Sequence, residues 1–241
     1  MSDIPRSPKT GRIRETIRRV PASYRWCAAM LVLMVVAVLF GRSRYSAQIL
    51  MVKPSHSAAD AVFVVDFESG QCYRAAVDSV RSGAIDTVLL CAETPRRLVS
   101  IGAIPSIEEL GRQKLLNDGI APDAIQLIQG VSRTDWETAR LLDVWLNEHP
   151  AKQLRVLCDS FSGRRWSWIC DRTLAKPNRS RVEIEGITDP RFDETNWWRR
   201  RLGVKVYFCS LFRLAYARWH GEDVVPDVDW SADKYESTAL Q

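Results

Sequence analysis

The sequence predicts a three-layer α/β/α domain, a doubly wound and mainly parallel sheet of five strands, preceded by one transmembrane helix. Three observations carry this expectation. Short aliphatic runs alternate five times with longer segments of helical periodicity. The runs Ala61–Val65 and Thr87–Cys91 are almost wholly apolar, and the others are short and rich in aliphatic residues, which is the pattern of strands buried between helices. A charge-free stretch from Trp26 to Phe40 stands in front, between arginine-rich flanks.

The first element is that apolar stretch, WCAAMLVLMVVAVLF. A spanning helix needs about 20 residues at 1.5 Å rise each. Tyr24 and Gly41 extend the run, and the Arg25 stem can reach the headgroups, so residues 24–41 are expected to span. A buried core helix does not fit, because there is no polar face to place in water. A cleaved secretory signal is the rival reading, with small residues at Tyr45-Ser46-Ala47. Arg42 and Arg44, lying between the run and that site, favour an uncleaved signal-anchor. Ahead of the span stand Arg6, Lys9, Arg12, Arg14, Arg18, Arg19 and Arg25; after it come only Arg42, Arg44 and Lys53. That asymmetry places the amino terminus in the cytoplasm and the main domain outside the plasma membrane. Residues 1–23, basic and poor in apolar groups, read as a disordered arm against anionic headgroups. The lipid bilayer is thus the first expected partner.

After a linker over residues 42–57, Ala61–Val65 is the first strand and Cys72–Arg81 a helix closed by Gly83. Thr87–Cys91 is the second strand. Ser106 caps a helix through Asn117, stopped by Asp118-Gly119. Ala124–Ile128 is the third strand and Asp135–Asn147 its following helix. Leu154–Cys158, a helix from Gly163 to Leu174, and Arg181–Ile187 complete the series. Such alternation gives a right-handed, Rossmann-like sheet over residues 58–221. The last helical segment, Asn196–Trp219, is aromatic and basic; it reads first as a cover for the sheet and second as a helix lying on a membrane. A nucleic-acid platform is a distant third, since an exported domain does not meet nucleic acid. Residues 222–241 form an acidic, solvated tail.

The net charge of +5 mostly reflects the amino-terminal arm. Six cysteines show neither C-x-x-C nor histidine-paired spacing, so no zinc site is expected. A single disulfide between Cys91 and Cys158 requires their strands to be neighbours.

Ligands of such sheets bind beyond the carboxyl ends of the strands. Asp66 and Glu68 stand there after the first strand, Glu93 after the second, Thr134, Asp135 and Glu137 after the third, and Asp159, Ser160, Ser162 and Arg165 after the fourth. Thr134 with Glu137 is also a capping box, and Asp159, Ser160 and Ser162 suit helix caps, roles that need no ligand. No Walker A loop or G-x-S-x-G elbow is present, and the residues name no cofactor.

Two motifs carry a resemblance to a known family. Thr134-Asp135-Trp136-Glu137-Thr138-Ala139 resembles Asn-Thr-x-Glu-Asn-Ala, matching at Glu137 and Ala139. Cys158-Asp159-Ser160-Phe161-Ser162-Gly163-Arg164-Arg165 resembles Thr-Ser-x-Tyr/Phe-His-x-x-Arg, matching at Phe161 and Arg165. With Glu109 ahead of Asn117-Asp118-Gly119-Ile120, and Trp197-Trp198 opening the last helix, the chain looks like a divergent member of the ElyC/SanA/YdcF family of bacterial envelope proteins. The resemblance implies an exported domain acting in cell-wall or surface-polysaccharide assembly, with envelope-assembly membrane proteins as partners. Ser162 stands in place of the family histidine, and the glycine-rich turns after the first two strands are replaced by Asp66-Phe67-Glu68-Ser69-Gly70 and Cys91-Ala92-Glu93-Thr94. Those changes remove the obvious general acid/base and add carboxylates that repel phosphate.

Two further readings stay open beside that one. In the first, Asp66, Glu68, Glu93 and Asp159 converge on a hard cation and, with Arg133 and Arg165, serve a metal-assisted hydrolase or transferase acting on a phosphorylated or glycosyl substrate. In the second, the domain is a non-catalytic interaction module. Arg165 opposes the positive end of its helix dipole, so it is expected to face a fixed anion: Glu109, Glu137, or a bound carboxylate or phosphate.

Overall fold

A computed structural model describes residues 22–41, 44–53, 58–65, 70–94 and 103–222, together with Val99. The chain divides into two units, Met1–Ser46 and Ala47–Gln241. In the first, α1 (Ala22–Gly41) is a 20-residue helix covering the expected span. Its described side chains run only from Trp26 to Val35, all of them exposed. Among the described residues no helix is long and apolar enough to cross a membrane. The arm as far as Pro21, the tail beyond Glu222, and Asp66 and Glu68 lie outside the described residues.

The second unit is a five-stranded sheet in the order β3-β2-β1-β4-β5, parallel at every pairing rather than merely mainly so. The strands are β1 (Ala61–Val64), β2 (Thr87–Glu93), β3 (Ile125–Ser132), β4 (Leu154–Asp159) and β5 (Val182–Ile187). From β1 the chain runs outward through β2 to β3, then returns to β4 on the other side of β1. The order therefore reverses between β1 and β4, where such sheets open a crevice.

Each face is covered as the sequence requires. On one side α3 (Gly70–Arg81) buries Cys72, Tyr73, Ala76 and Val77, a stripe at helical spacing, and α4 (Ile107–Asn117) adds Leu115. On the other, α5 (Asp135–Glu148) contributes Leu142, Trp145 and Leu146, and α6 (Gly163–Thr173) contributes Trp166 and Cys170. The caps fall where the sequence puts them. Ser106 accepts from the Glu109 N–H at 3.3 Å, and Gly119, at φ +81°, closes α4 in the left-handed conformation that glycine tolerates.

One open possibility closes and one expectation needs correction. Cys91 on β2 and Cys158 on β4 are separated by β1, so they lie two strand spacings, about 10 Å, apart and beyond disulfide reach; all six cysteines are free. Within the expected linker, residues 44–53 are part of the fold. α2 (Arg44–Gln48) leads into Leu50, and Ala47 and Leu50 are fully buried with Phe161, Phe192, Trp197, Tyr207 and Leu214. The apolar Ile49-Leu50-Met51-Val52 was the signal, too hydrophobic for a solvated linker. This third cluster seats α8 (Arg201–His220), which packs on α6 and on the 3-10 turn Ser160–Ser162.

The short helix α7 (Lys176–Arg179) presents Asn178, which donates to Asp143 Oδ1 and Asn147 Oδ1, both at 2.8 Å. Nearby, Arg181 donates to the carbonyls of Leu146 (3.0 Å), Lys152 (3.0 and 2.7 Å) and His149 beyond the end of α5. One planar fork thus satisfies carbonyls that a helix carboxyl terminus leaves open. Arg181→Ala is expected to cost about 2 kcal/mol in urea unfolding. Arg181→Lys, with a single-point ammonium, should recover less than half of that loss.

Candidate functional site

The carboxyl edge of the sheet is divided. Over β4 and β5 it is filled. Asp159 accepts from the Phe161 N–H (3.3 Å) and from the Ser162 hydroxyl (2.8 Å), which winds the 3-10 turn and drives Phe161 into the aromatic cluster under α8. Ser160 and Ser162 are buried in that turn. Asp159 caps this turn, Ser162 opens α6 without a side-chain capping bond, and none of Asp159, Ser160 and Ser162 lines the open cleft. Asp189, after β5, is held by Arg191 at 2.9 and 2.6 Å, and that hydrogen bonding lowers its carboxyl pKa.

Over β1, β2 and β3 the edge is open. A cleft of about 1000 Å³ is bounded by the ends of these strands, by the first turns of α4 and α5, by α6, and by α8 across the top. A β-bulge shapes its floor. Cys91 pairs with Ile128, but Ala92 pairs with Val131, so Gln129 and Gly130 are extra residues on β3. Gly130 has φ +116°, and a Cβ there would lie 2.6 Å from Leu141. Such a bulge bends and twists the strand that carries it. Beyond it, Ser132 is buried, and Arg133, Thr134 and Asp135 line the cleft. The strand expected over Ala124–Ile128 thus continues past the bulge to Ser132.

Of the residues predicted for a site, Glu93, Thr134, Asp135 and Arg165 line this cleft. Glu109 does not: it faces solvent on α4, and its neighbour Glu108 takes the lining position. Glu137 turns back as the capping box requires. Thr134 Oγ1 accepts from the Glu137 N–H (3.2 Å), and Glu137 accepts from the Arg133 N–H (2.6 Å). Glu137→Ala should therefore cost about 1 kcal/mol in thermal unfolding and leave any ligand response of the cleft unchanged.

Arg165 faces a fixed anion, as its position demanded, but neither expected glutamate supplies it. Its guanidinium is paired with Asp135, the first residue of α5, across the cleft wall. The side chain is only 12% exposed, and Nε has no hydrogen-bond partner among the described residues. Burial, with Arg213 nearby as a like charge, lowers the Arg165 pKa to about 10; the ion pair with Asp135 acts in the opposite direction. The group stays charged at neutral pH. Arg213 and Tyr216 come from α8, so the terminal helix is part of the site. Its basic and aromatic character was legible in the sequence, but its docking over α6 was not.

The chemistry available is electrostatic. Arg133, Arg165, Arg213 and the amino-terminal dipole of α5 favour an anion. Glu93 and Glu108 line the cleft from the opposite side. Burial pushes the Cys91 thiol pKa up, so it is not a thiolate nucleophile at neutral pH. His149 is stacked on Trp145 (4.4 Å) and is no part of the cleft, while His220 stacks on Tyr216 at 4.4 Å. Among the described residues no group of three histidine, cysteine, aspartate or glutamate side chains is placed to hold a metal. Of the four suggested ligands, Glu93 and Asp159 stand in separate parts of the edge.

Fold and cleft together define a Rossmann-like parallel α/β domain with an arginine-lined crevice beside its topological switch point. The chain matches no protein-family model, no curated protein and no solved structure.

Proposed function

We propose that the chain is a single-pass inner-membrane protein, amino terminus cytoplasmic, whose extracytoplasmic domain serves cell-envelope biogenesis and binds a small anionic ligand in the cleft. The observation that carries the binding role is the placing of Arg165 and Arg213 together in an open crevice at the carboxyl edge of the sheet. Two like charges brought close, one of them largely buried, are costly unless an anion compensates both. Asp135 compensates Arg165 and leaves capacity at Arg213. The membrane and envelope role rests on the Trp26–Phe40 run, the arginine asymmetry around it, and the motif resemblance to the ElyC/SanA/YdcF family at Glu137, Ala139, Phe161 and Arg165.

Calorimetry of the full chain with inorganic phosphate and with a simple phosphomonoester tests the binding. Saturable heat that disappears in Arg213→Gln is expected; no heat with either anion would remove the ligand from the account. Alkaline phosphatase and green fluorescent protein, fused separately to the carboxyl terminus, test the topology. Phosphatase activity without fluorescence is expected.

A further inference from the structure

We propose that α8 lies on an anionic bilayer surface through its exposed aromatic face, making the folded domain itself, and not only its apolar amino-terminal run, a membrane-binding element. The helix has two apolar sides. At roughly 100° per residue, Gly203, Tyr207, Ser210, Leu214 and Ala217 fall together and are the residues it buries. Phe208, Phe212, Tyr216 and Trp219 fall on the opposite side, and they are 45, 69, 50 and 87% exposed. A helix that only covered a sheet would carry polar groups there. Four aromatics in one exposed row, about 16 Å long, need another explanation, because soluble surfaces rarely keep so contiguous an apolar patch uncovered.

Charge identifies the occupant. The helix, RLGVKVYFCSLFRLAYARWH, contains no aspartate or glutamate. Arg201 and Lys205 lie on the aromatic face, while Arg213 lines the cleft and Arg218 stacks over Trp168 on the domain side. Glu222, the first acid after the helix, is turned to Arg140. Tryptophan, phenylalanine and tyrosine among arginine and lysine suit a headgroup boundary, where rings enter the acyl edge and cations meet lipid phosphate. A second copy of the chain is a poor occupant. Two such helices packed face to face about a two-fold axis would bring Arg201 and Lys205 of both copies into one apolar seam, with no acid on either helix to offset them. Phe212 and Tyr216 also border the cleft, so this docking would hold its mouth at the headgroup plane.

The test is hydroxyl-radical footprinting of the full chain assembled at one copy per nanodisc, in phosphatidylcholine with or without phosphatidylglycerol. Modification of Phe212 and Trp219 should fall several-fold when phosphatidylglycerol is present, while exposed Leu127 and Val144, on β3 and α5, keep their reactivity. High salt, or the exposed pair Arg201→Glu and Lys205→Glu, should restore the labelling, with unchanged near-ultraviolet dichroism showing that the variant is folded. Equal reactivity in both discs overturns the proposal. So does protection that ignores lipid charge and salt, or protection that grows with copies per disc, which would assign the face to self-association.

Discussion

Gly203→Val is expected to destabilise the domain by about 3 kcal/mol or more, with Gly203→Ala showing about 2 kcal/mol. The cause is a backbone contact. A Cβ at Gly203 would lie 2.4 Å from the Trp197 carbonyl oxygen and 3.0 Å from its carbonyl and α carbons. A flexible side chain could turn aside; a peptide group can move only with its segment. That segment carries Trp197, which is 2% exposed and stacks on Tyr207 at 3.8 Å between ring centroids. Moving it opens the cluster that also buries Ala47, Leu50 and Phe161. The better helix propensity of alanine returns at most about 1 kcal/mol, which is less than the loss. Urea unfolding followed by tryptophan emission reads both variants. An unchanged midpoint for Gly203→Val would mean that α8 does not depend on close approach to the Trp197 turn. Because α8 roofs the cleft, the destabilised variants should also lose the calorimetric response to phosphate.

Gly203 also shows where sequence reading stops. The central strands β1 and β2 were legible because strands buried on both faces are aliphatic at successive positions, and β1, β2, β4 and β5 agree with the expected segments to within two residues. The caps at Ser106, Thr134 and Gly119 were legible because they are local chemistry. The approach of Gly203 to Trp197, the burial of Leu50 against Phe161, and the choice of Glu108 over Glu109 depend on contacts between distant segments, which no local pattern encodes. The site divided along the same line. Asp159, Ser160 and Ser162 sit in sequence where a ligand site belongs, yet the aromatic cluster under α8 fills their half of the edge. Glu93, Thr134, Asp135 and Arg165 sit equally well in sequence and do reach the cleft. The difference is made by Phe161 and by residues 192–214, which are far away in the chain. Arg165 lay between these cases. The helix dipole argument required a fixed anion, and one is present, but Asp135 was nearer than the glutamates favoured by the motif.

The pair of Asp135 and Arg165 gives the largest asymmetric effect. Asp135→Asn should destabilise the domain by about 3 kcal/mol, the scale of breaking a buried pair by removing one partner. It leaves the Arg165 guanidinium, 12% exposed, beside the like charge of Arg213. Arg165→Met should cost less, about 1 kcal/mol. The remaining Asp135 is a third exposed and can be hydrated, and it stands in the first turn of α5, where the dipole favours a carboxylate. A purely structural ion pair would yield these costs and nothing more. A cleft that binds anions predicts a further split. Removing the Asp135 carboxylate frees a site beside Arg165, so phosphate should raise the melting temperature of Asp135→Asn more than that of the unaltered chain. In the double variant Asp135→Asn, Arg165→Met that gain should vanish. General salt stabilisation acts on all of these proteins alike and cancels in the comparison. If phosphate stabilises Asp135→Asn and the double variant equally, Arg165 is only a structural partner of Asp135, and the anion site would have to be sought at Arg213 alone.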